Sequence, residues 1–152
     1  MNIRRGKIQD LKKITVIEAE CFPASEAATE ESFKGRLTVY PDYFWILEED
    51  GKIVSFVNGM VTDSPNLSDE MYENPHLHNP EGEWQMVFGV NTLPDYRKRG
   101  YAEKLLNEMI KDAKDKKRKK CCTSKFNLTI KIYSYLQKIL RYTIRHIFQI
   151  PF

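Results

Sequence analysis

Cysteine and long apolar runs are scarce in this chain of 152 residues. The three cysteines, Cys21, Cys121 and Cys122, form neither a disulfide framework nor a Cys-x-x-Cys metal pair, so we predict no disulfide scaffold and no metal site. No window approaches the roughly 18 uncharged apolar residues of a membrane span. The first residues also lack the apolar stretch of a signal peptide. These absences favour a cytoplasmic setting without a membrane partner.

The last quarter of the chain lacks five amino acids completely. Residues 116–152 contain no Gly, Ala, Val, Asp or Glu, although residues 1–115 contain 41 of them. All 21 acidic residues lie in residues 1–115, which carry a formal charge of −7, whereas residues 116–152 carry +10. The five missing amino acids share codons that begin with G, which a displaced reading frame of AT-rich DNA does not favour. We therefore predict two segments, a folded domain over residues 1–118 and a tail over residues 119–152.

The composition of the tail favours out-of-frame translation, with a frameshift near residues 118 to 122, where the lysine-rich run of residues 116–120 is a natural slippage site. Two alternatives remain open at this stage. One is a divergent closing element of the domain, and the other is a basic arm that binds nucleic acid or an acidic membrane. The apolar residues of 128–150 follow neither a helical nor a strand period for long, so we expect no nucleic-acid partner.

Residues 1–115 contain a clear series of elements. We predict a strand over 2–5, helices over 10–21 and 30–37, strands over 44–47, 53–61 and 84–90, and a helix that begins near Ala102. Asp50-Gly51 between two β-rich runs indicates a hairpin. We predict that residues 63–82 form a long polar loop with one helical turn near 69–73. This order predicts a mixed α/β domain of the α+β type.

The segment between the last predicted strand and helix carries the most informative motif. It reads Leu93-Pro94-x-Tyr96-Arg97-x-x-Gly100-x-Ala102. At a helix start several backbone N–H groups have no intrahelical partner, and the helix dipole adds partial positive charge. Small residues at 100 and 102 would let a phosphate approach these groups, and three cations at 97–99 add charge. The segment therefore predicts a pyrophosphate cradle.

This motif, in its strand–turn–helix context, resembles the acetyl-CoA motif of the GNAT superfamily of N-acetyltransferases. The segments Glu20–Thr29 and Gln85–Val90 are similar to the bacterial branch of serotonin (arylalkylamine) N-acetyltransferase-like proteins. The resemblance covers about residues 1 to 118. It implies the GNAT fold, a mixed, mostly antiparallel sheet flanked by helices, in the order β-α-α-β-β-β-α. It also implies acetyl-CoA as cosubstrate and a small-molecule amine as partner, with no metal.

The resemblance further implies where acetyl-CoA binds. Its pyrophosphate would lie on the loop and helix start, formed by Arg97, Lys98, Arg99, Gly100, Tyr101, Ala102 and Glu103. Its pantetheine would pair with the exposed edge of the preceding strand at Val90, Asn91 and Thr92. A backbone N–H near Val90 would then stabilise the oxyanion of direct transfer.

The residues that would move protons are not identified by the resemblance. Two catalytic histidines of the animal enzymes align with Met86 and Phe88, which cannot accept a proton. The candidate substitutes are Glu83 and His78, each with a surface role as the alternative. The family's acid, the tyrosine of Tyr-x-x-x-Gly-Phe, has no counterpart in residues 116–152.

Residues near the end of the first helix match the family's substrate loop. We expect Glu26 to attract the substrate ammonium, beside Phe22 and Pro23, with Phe22 and Phe33 as an apolar wall for an aryl group. The sequence thus predicts an N-acetyltransferase for a small primary amine, with arylalkylamines as the narrower class. Transfer is expected to be impaired, because the partner strand and the acid of the family's C-terminal part would be missing. The alternative function is a non-catalytic CoA-binding remnant or a basic-tailed interaction protein.

Overall fold

The computed structural model describes residues 1–118 and the backbone of residues 120–123. In chain order, the helices and strands are β1 (Asn2–Arg5), α1 (Leu11–Cys21), α2 (Glu30–Val39), β2 (Phe44–Glu49), β3 (Lys52–Thr62), α3 (Asp69–Glu73), β4 (Trp84–Thr92), α4 (Tyr101–Asp115) and β5 (Lys120–Thr123). The elements predicted within residues 1–115 are present, with ends that move by up to about two residues. Among the helices of the described residues, none is both long and apolar enough to cross a membrane.

The five strands form one sheet in the order β1-β2-β3-β4-β5. Each adjacent pair among the first four strands is antiparallel, which confirms the predicted α+β fold with an antiparallel sheet flanked by helices. Asp50 and Gly51 have φ values of 51° and 75°, the left-handed pair that a tight hairpin turn requires. Thr29 caps α2, because its Oγ1 accepts a hydrogen bond of 3.1 Å from the Ser32 amide.

The fifth strand corrects one expectation. We expected the strand that follows the last helix in this family to be missing, yet Lys120–Thr123 pairs in parallel with Trp84–Val87. A parallel partner needs a crossover connection, and α4 provides it. The rest of the predicted tail, from residue 124, lies outside the described residues.

The helices cover opposite faces of the sheet. On one face, the Phe33 ring of α2 packs edge-on against Phe44 and Phe56, with centroids 6.2 Å and 5.9 Å away. On the other face, the Trp45 indole donates a hydrogen bond to Asp112 of α4. Because side chains alternate along a strand, neighbouring residues of β2 serve the two layers of the core.

Arg118 closes the domain after α4. Its side chain is buried and donates to the carbonyls of Gly82 at 2.6 Å and Pro80 at 2.8 Å, and to the Tyr43 hydroxyl at 2.8 Å. These bonds tie the end of α4 to the loop that precedes β4. The residues up to Arg118 are therefore integral to the fold.

A β-bulge interrupts the pairing of β3 with β4. Asn58 pairs with Gly89 and Gly59 pairs with Val87, which leaves Phe88 without a residue opposite it. Gly59 is required there, because an added Cβ would lie 1.8 Å from the Met86 carbonyl oxygen. A bulge bends its strand and redirects a side chain. Here the Phe88 ring lies 4.7 Å from Tyr72 and 4.9 Å from the Arg36 guanidinium, measured to ring centroids.

Candidate active site

The turn between β4 and α4 has the conformation of an anion cradle. Gly100, the residue before α4, has a φ of 77°, and Lys98 has a φ of 63°. Glycine adopts this left-handed region at little cost, and no other atom lies within 4 Å of an added Cβ at Gly100. The backbone amides of the first turn of α4 have no intrahelical partner, and the positive end of the helix dipole lies behind them. The structure thus brings all seven predicted cradle residues together in one loop and helix start.

The arginines of the cradle also shape the loop. Arg97 Nε donates to the Thr92 carbonyl at 3.1 Å. Arg99 donates to the Asp95 carbonyl at 3.1 Å, and its guanidinium lies 4.9 Å from the centroid of the Tyr96 ring. Both arginines therefore hold the turn between β4 and α4 while they leave positive charge at its rim.

Glu49 belongs to this region and was not predicted from the sequence. One of its carboxylate oxygens accepts a 2.6 Å hydrogen bond from the Tyr101 hydroxyl, and the other lies 3.4 Å from Arg99. The hydrogen bond to this carboxylate raises the pKa of Tyr101. Glu49 stands at the end of β2, fifty residues before its partners, and no local pattern signals such a contact.

Among the described residues, no strand pairs with the edge of β4 next to the cradle. Within the described part of the chain, β5 pairs with Trp84–Val87 and with no later residue of β4. The segment that contains Val90, Asn91 and Thr92 therefore has no partner strand on this side, the arrangement that β-strand addition requires, although the Thr92 carbonyl already accepts from Arg97. This edge leads directly into the turn before α4. The two features together fit an acyl-CoA, with the amides of pantetheine on the strand edge and the pyrophosphate on the cradle.

The predicted acceptor residues lie between α1 and α2. We call residues 22–28 the acceptor loop; its Glu26 side chain is exposed and Phe22 is half-buried. Pro23 O accepts hydrogen bonds of 2.9 Å from the amides of Glu26 and Ala27, so the loop begins as a tight turn. Phe22, Pro23 and Glu26 all lie in this loop, and their contact with a substrate stays a prediction.

The interpretation of Phe33 as a wall of the acceptor site is wrong. Its side chain has no exposed surface and packs between Phe44 and Phe56 in the core. Helical spacing places Phe33 on the face of α2 that covers the sheet, where an apolar side chain is stabilised by burial. Phe33 therefore supports the fold and cannot contact an aryl group.

Arg36 is a second residue that sequence reasoning missed. It is buried, and it donates to Asn58 Oδ1 at 3.1 Å and to the Tyr72 carbonyl at 2.8 Å. Its guanidinium also lies over the Phe88 ring, and burial lowers its pKa. A positive charge therefore lies behind the bulge of β4, held by neutral oxygen atoms.

His78 and Glu83 lie away from the cradle. The Val61 amide donates to His78 Nδ1 at 3.1 Å, and the imidazole packs against Tyr40 and Tyr43 at 4.7 Å and 4.6 Å. Burial, with the charges of Arg118 and Lys116, lowers the pKa of His78 to about 4. These contacts occupy the ring nitrogen that a base would use, so they favour a structural role.

Glu83 immediately precedes β4 and is exposed. Five residues of extended strand separate it from Phe88, a rise of about 16 Å. A proton acceptor must lie within hydrogen-bond reach of the reacting amine or one water away. The role of Glu83 as a base stays a prediction, and its distance from the cradle end of β4 does not favour it.

Comparisons with known proteins agree with this geometry. The sequence profile of the Acetyltransferase (GNAT) family matches residues 11–131, and so continues past Arg118. The loading GNATL domain of CurA from Lyngbya majuscula is 28% identical with a TM-score of 0.66, over 73% of this chain and 57% of that one. The GphF GNAT-like decarboxylase in complex with isobutyryl-CoA is 27% identical with a TM-score of 0.65, over 74% of this chain and 58% of that one. The chain thus spans less than two thirds of both.

A further structure shares the fold at lower identity. The diaminobutyrate acetyltransferase EctA from Paenibacillus lautus, in complex with its substrate and coenzyme A, is 17% identical with a TM-score of 0.65, over 93% of this chain and 73% of that one. No curated protein sequence matches the chain significantly. Because the family profile matches most of its length, this chain belongs to the acetyltransferase (GNAT) family.

Proposed function

We propose that this protein transfers acetyl from acetyl-CoA to a small primary amine, with arylalkylamines as the narrower acceptor class. The observation that carries the proposal is the continuity of the open β4 edge with the cradle before α4, which suits one extended CoA molecule. The GNAT profile and the fold shared with EctA support it. The acidic character of residues 1–115, with a formal charge of −7, suits a cationic amine.

Each part of the site has a distinct task in such a transfer. The amides of residues 98–103 hold the pyrophosphate, and the edge at Val90–Thr92 aligns the pantetheine. Bound acetyl-CoA supplies an activated thioester. A backbone N–H near Val90 donates to the developing oxyanion. Removal of one donor of this kind lowers kcat by about 100-fold or more. The amine must be neutral when it attacks, because its protonated form has no lone pair.

The acceptor loop leads to a test of substrate attraction. We expect Glu26→Gln to raise the amine KM by about three- to tenfold with little change in kcat, because a carboxylate at an exposed site attracts a cation before the chemical step. Initial rates at several amine concentrations, with saturating acetyl-CoA, give this comparison. Glu31→Gln makes the same charge change on exposed α2 and serves as the matched control. If Glu26→Gln and Glu31→Gln have the same amine KM, Glu26 does not attract the amine.

The transfer is proposed to be slow in this chain. Met86 and Phe88 carry no proton acceptor, and the tyrosine acid of the family has no match in residues 116–152. We propose a frameshift near residues 118 to 122, at the lysine-rich run of residues 116–120, after which the chain is out-of-frame translation. The nucleotide sequence across this run tests the idea: a shift of one base should restore Tyr-x-x-x-Gly-Phe, and two alternative frames without it would contradict the frameshift.

A second candidate function is decarboxylation of a carboxylated acyl-CoA. The identity of 27% to a GNAT-like decarboxylase favours it, as do the apolar side chains at 86 and 88, since such a reaction needs no base for an amine. Incubation with malonyl-CoA separates the candidates. Acetyl-CoA formed without any amine would support decarboxylation, whereas an N-acetylated amine formed from acetyl-CoA supports transfer. A thermal shift with acetyl-CoA and neither product would indicate a non-catalytic CoA-binding protein.

A further inference from the structure

The end of β2 is joined to the turn that carries the cradle. Glu49 is the last residue of β2. One of its carboxylate oxygens accepts the 2.6 Å hydrogen bond from the Tyr101 hydroxyl, and the other lies 3.4 Å from Arg99 Nη1. Arg99 and Tyr101 are the two neighbours of Gly100, whose φ is 77°. A single carboxylate therefore holds the chain on both sides of the left-handed residue that precedes α4.

Further contacts of the same hairpin hold Arg99. Its Nη2 donates to the Asp95 carbonyl at 3.1 Å, and its guanidinium lies 4.9 Å from the centroid of the Tyr96 ring. Lys52, which pairs with Glu49 across the hairpin, has its Nζ 5.3 Å from the same ring. Both strands of the hairpin thus contact the turn before α4. Half of the Arg99 side chain is still exposed, so its guanidinium is held in place with surface left for a phosphate.

The charge of Glu49 cannot be what favours a phosphate here. A carboxylate repels a pyrophosphate, so any benefit to binding must come from the position that it gives to its partners. The proposed pyrophosphate contacts are main-chain amides of residues 98–103, whose directions depend on the backbone at Gly100. Glycine has the greatest backbone freedom of all residues, and a segment that is ordered before the ligand binds avoids the entropic cost of ordering it afterwards.

We propose that Glu49 is a positioning residue that holds the cradle in its binding conformation before acetyl-CoA binds. The inference rests on the proposed binding of the CoA pyrophosphate at residues 97–103. Tyr101 and Arg99 occupy the two oxygens of Glu49, so its effect on the ligand passes through these residues. Loss of Glu49 weakens binding of acetyl-CoA. It does not weaken binding of acetyl-pantetheine, the same thioester without the pyrophosphate and the nucleotide.

Substitutions in β2 separate the position of Glu49 from its charge. Glu49→Leu removes the acceptor, so we expect the Kd for acetyl-CoA to rise at least about tenfold while the Kd for acetyl-pantetheine stays within about twofold. Glu49→Gln keeps an oxygen for the Tyr101 hydroxyl and removes the repelling charge, so we expect a Kd for acetyl-CoA no more than about twofold above wild type. NMR titration of the full chain measures both ligands, including weak binding of the short thioester.

The matched control is Glu48→Leu. Glu48 precedes Glu49 in β2, and its carboxylate pairs with Arg4 at 2.7 Å instead of with the cradle, since neighbouring residues of a strand point to opposite faces. The substitution removes a paired carboxylate from the same strand, and we expect both Kd values to stay within about twofold of wild type. A Kd for acetyl-CoA that rises equally in Glu48→Leu and Glu49→Leu would overturn the proposal.

A double-mutant cycle tests whether the bond to Tyr101 is the cause. Tyr101→Phe removes only the hydroxyl, and we expect it to raise the Kd for acetyl-CoA at least about threefold. The chain with both Glu49→Leu and Tyr101→Phe should bind no more weakly than Glu49→Leu alone, because the two changes break the same bond. Effects that multiply would contradict the proposal, as would a Glu49→Leu chain in which both thioesters are weakened equally.

Other outcomes separate this inference from the proposed function. If Glu49→Leu does not fold, Tyr101→Phe decides the matter alone, and equal changes in Kd for acetyl-CoA and acetyl-pantetheine would overturn the positioning role. Wild-type chain that binds the two thioesters equally would refute pyrophosphate binding at the cradle, and the role of Glu49 with it. Wild-type chain that binds acetyl-CoA more tightly yet acetylates no amine would refute the proposed transfer alone.

Discussion

Gly100→Asp weakens acetyl-CoA binding by at least about 100-fold, or about 2.7 kcal/mol, in our account. The new carboxylate would lie at the N-terminus of α4, where it accepts hydrogen bonds from the amides that are proposed to hold the pyrophosphate and repels the phosphates. The substitution leaves the fold intact for two reasons. Aspartate tolerates a positive φ better than most residues, and the space around an added Cβ at Gly100 is open. Isothermal titration with acetyl-CoA measures the change.

The matched control for this prediction is Gly100→Asn. Asparagine has nearly the same shape and the same tolerance of the left-handed conformation, but it carries no charge. We expect it to weaken binding by about tenfold or less, because only steric competition remains. Equal Kd values for Gly100→Asp and wild type, with both proteins folded, would show that the pyrophosphate does not bind at this helix start.

Gly59→Ala lowers the free energy of unfolding by about 3 kcal/mol or more, because no small adjustment makes room for the added methyl group. Its Cβ would lie 1.8 Å from the Met86 carbonyl oxygen and 3.2 Å from the Val87 Cα, so β3 and β4 would have to separate. The bulge that turns Phe88 towards Arg36 would be lost with this pairing. Chemical denaturation followed by circular dichroism gives the difference in the free energy of unfolding between wild type and Gly59→Ala.

Gly35→Ala is the appropriate comparison for Gly59→Ala. It makes the same chemical change within α2, where alanine is a better helix former than glycine by up to about 1 kcal/mol. The atom nearest to the added Cβ is the side-chain Cγ of Pro75, at 3.2 Å. We expect the stability to change by no more than about 1 kcal/mol in either direction. A Gly59→Ala protein as stable as Gly35→Ala would mean that the two strands are not in register at the bulge.

The fold of residues 1–115 follows from local patterns in the sequence. Helical spacing of apolar residues sets α1 and α4, and Asp50-Gly51 requires a hairpin between β2 and β3. The bulge at Phe88 cannot be predicted from a local pattern. It depends on how β3 pairs with β4 and on the glycine at position 59 of β3. Neither strand shows this irregularity when its own sequence is considered alone.

The candidate site also has one part that the local sequence predicts and another part that it does not. The cradle is one continuous segment, so its residues were predictable as a group and the structure places them together. Glu49 and Arg36 reach the site from β2 and α2, and their contacts join residues that lie far apart in the sequence. Phe33 was misassigned because an aromatic side chain near a substrate loop has the same local pattern whether it faces the core or a ligand.

The change in composition near residue 116 does not coincide with the end of the fold. Arg118 is buried among acceptors from three residues, and Lys120–Thr123 pairs with β4. A basic side chain inside a run of basic residues gives no sequence signal that it alone is buried. The position at which the charge changes sign therefore does not mark the end of the folded domain. That end is set by the contacts of single residues such as Arg118.

The central claim is tested most directly by incubating a stoichiometric amount of the full 152-residue chain with acetyl-CoA and a panel of small amines that includes arylalkylamines. Mass spectrometry detects N-acetylated product, and titration under the same conditions establishes that acetyl-CoA is bound. We predict slow, amine-dependent formation of the product and free CoA in equal amounts, which is lost in Gly100→Asp. Bound acetyl-CoA that yields no N-acetylated product from any amine would contradict the account.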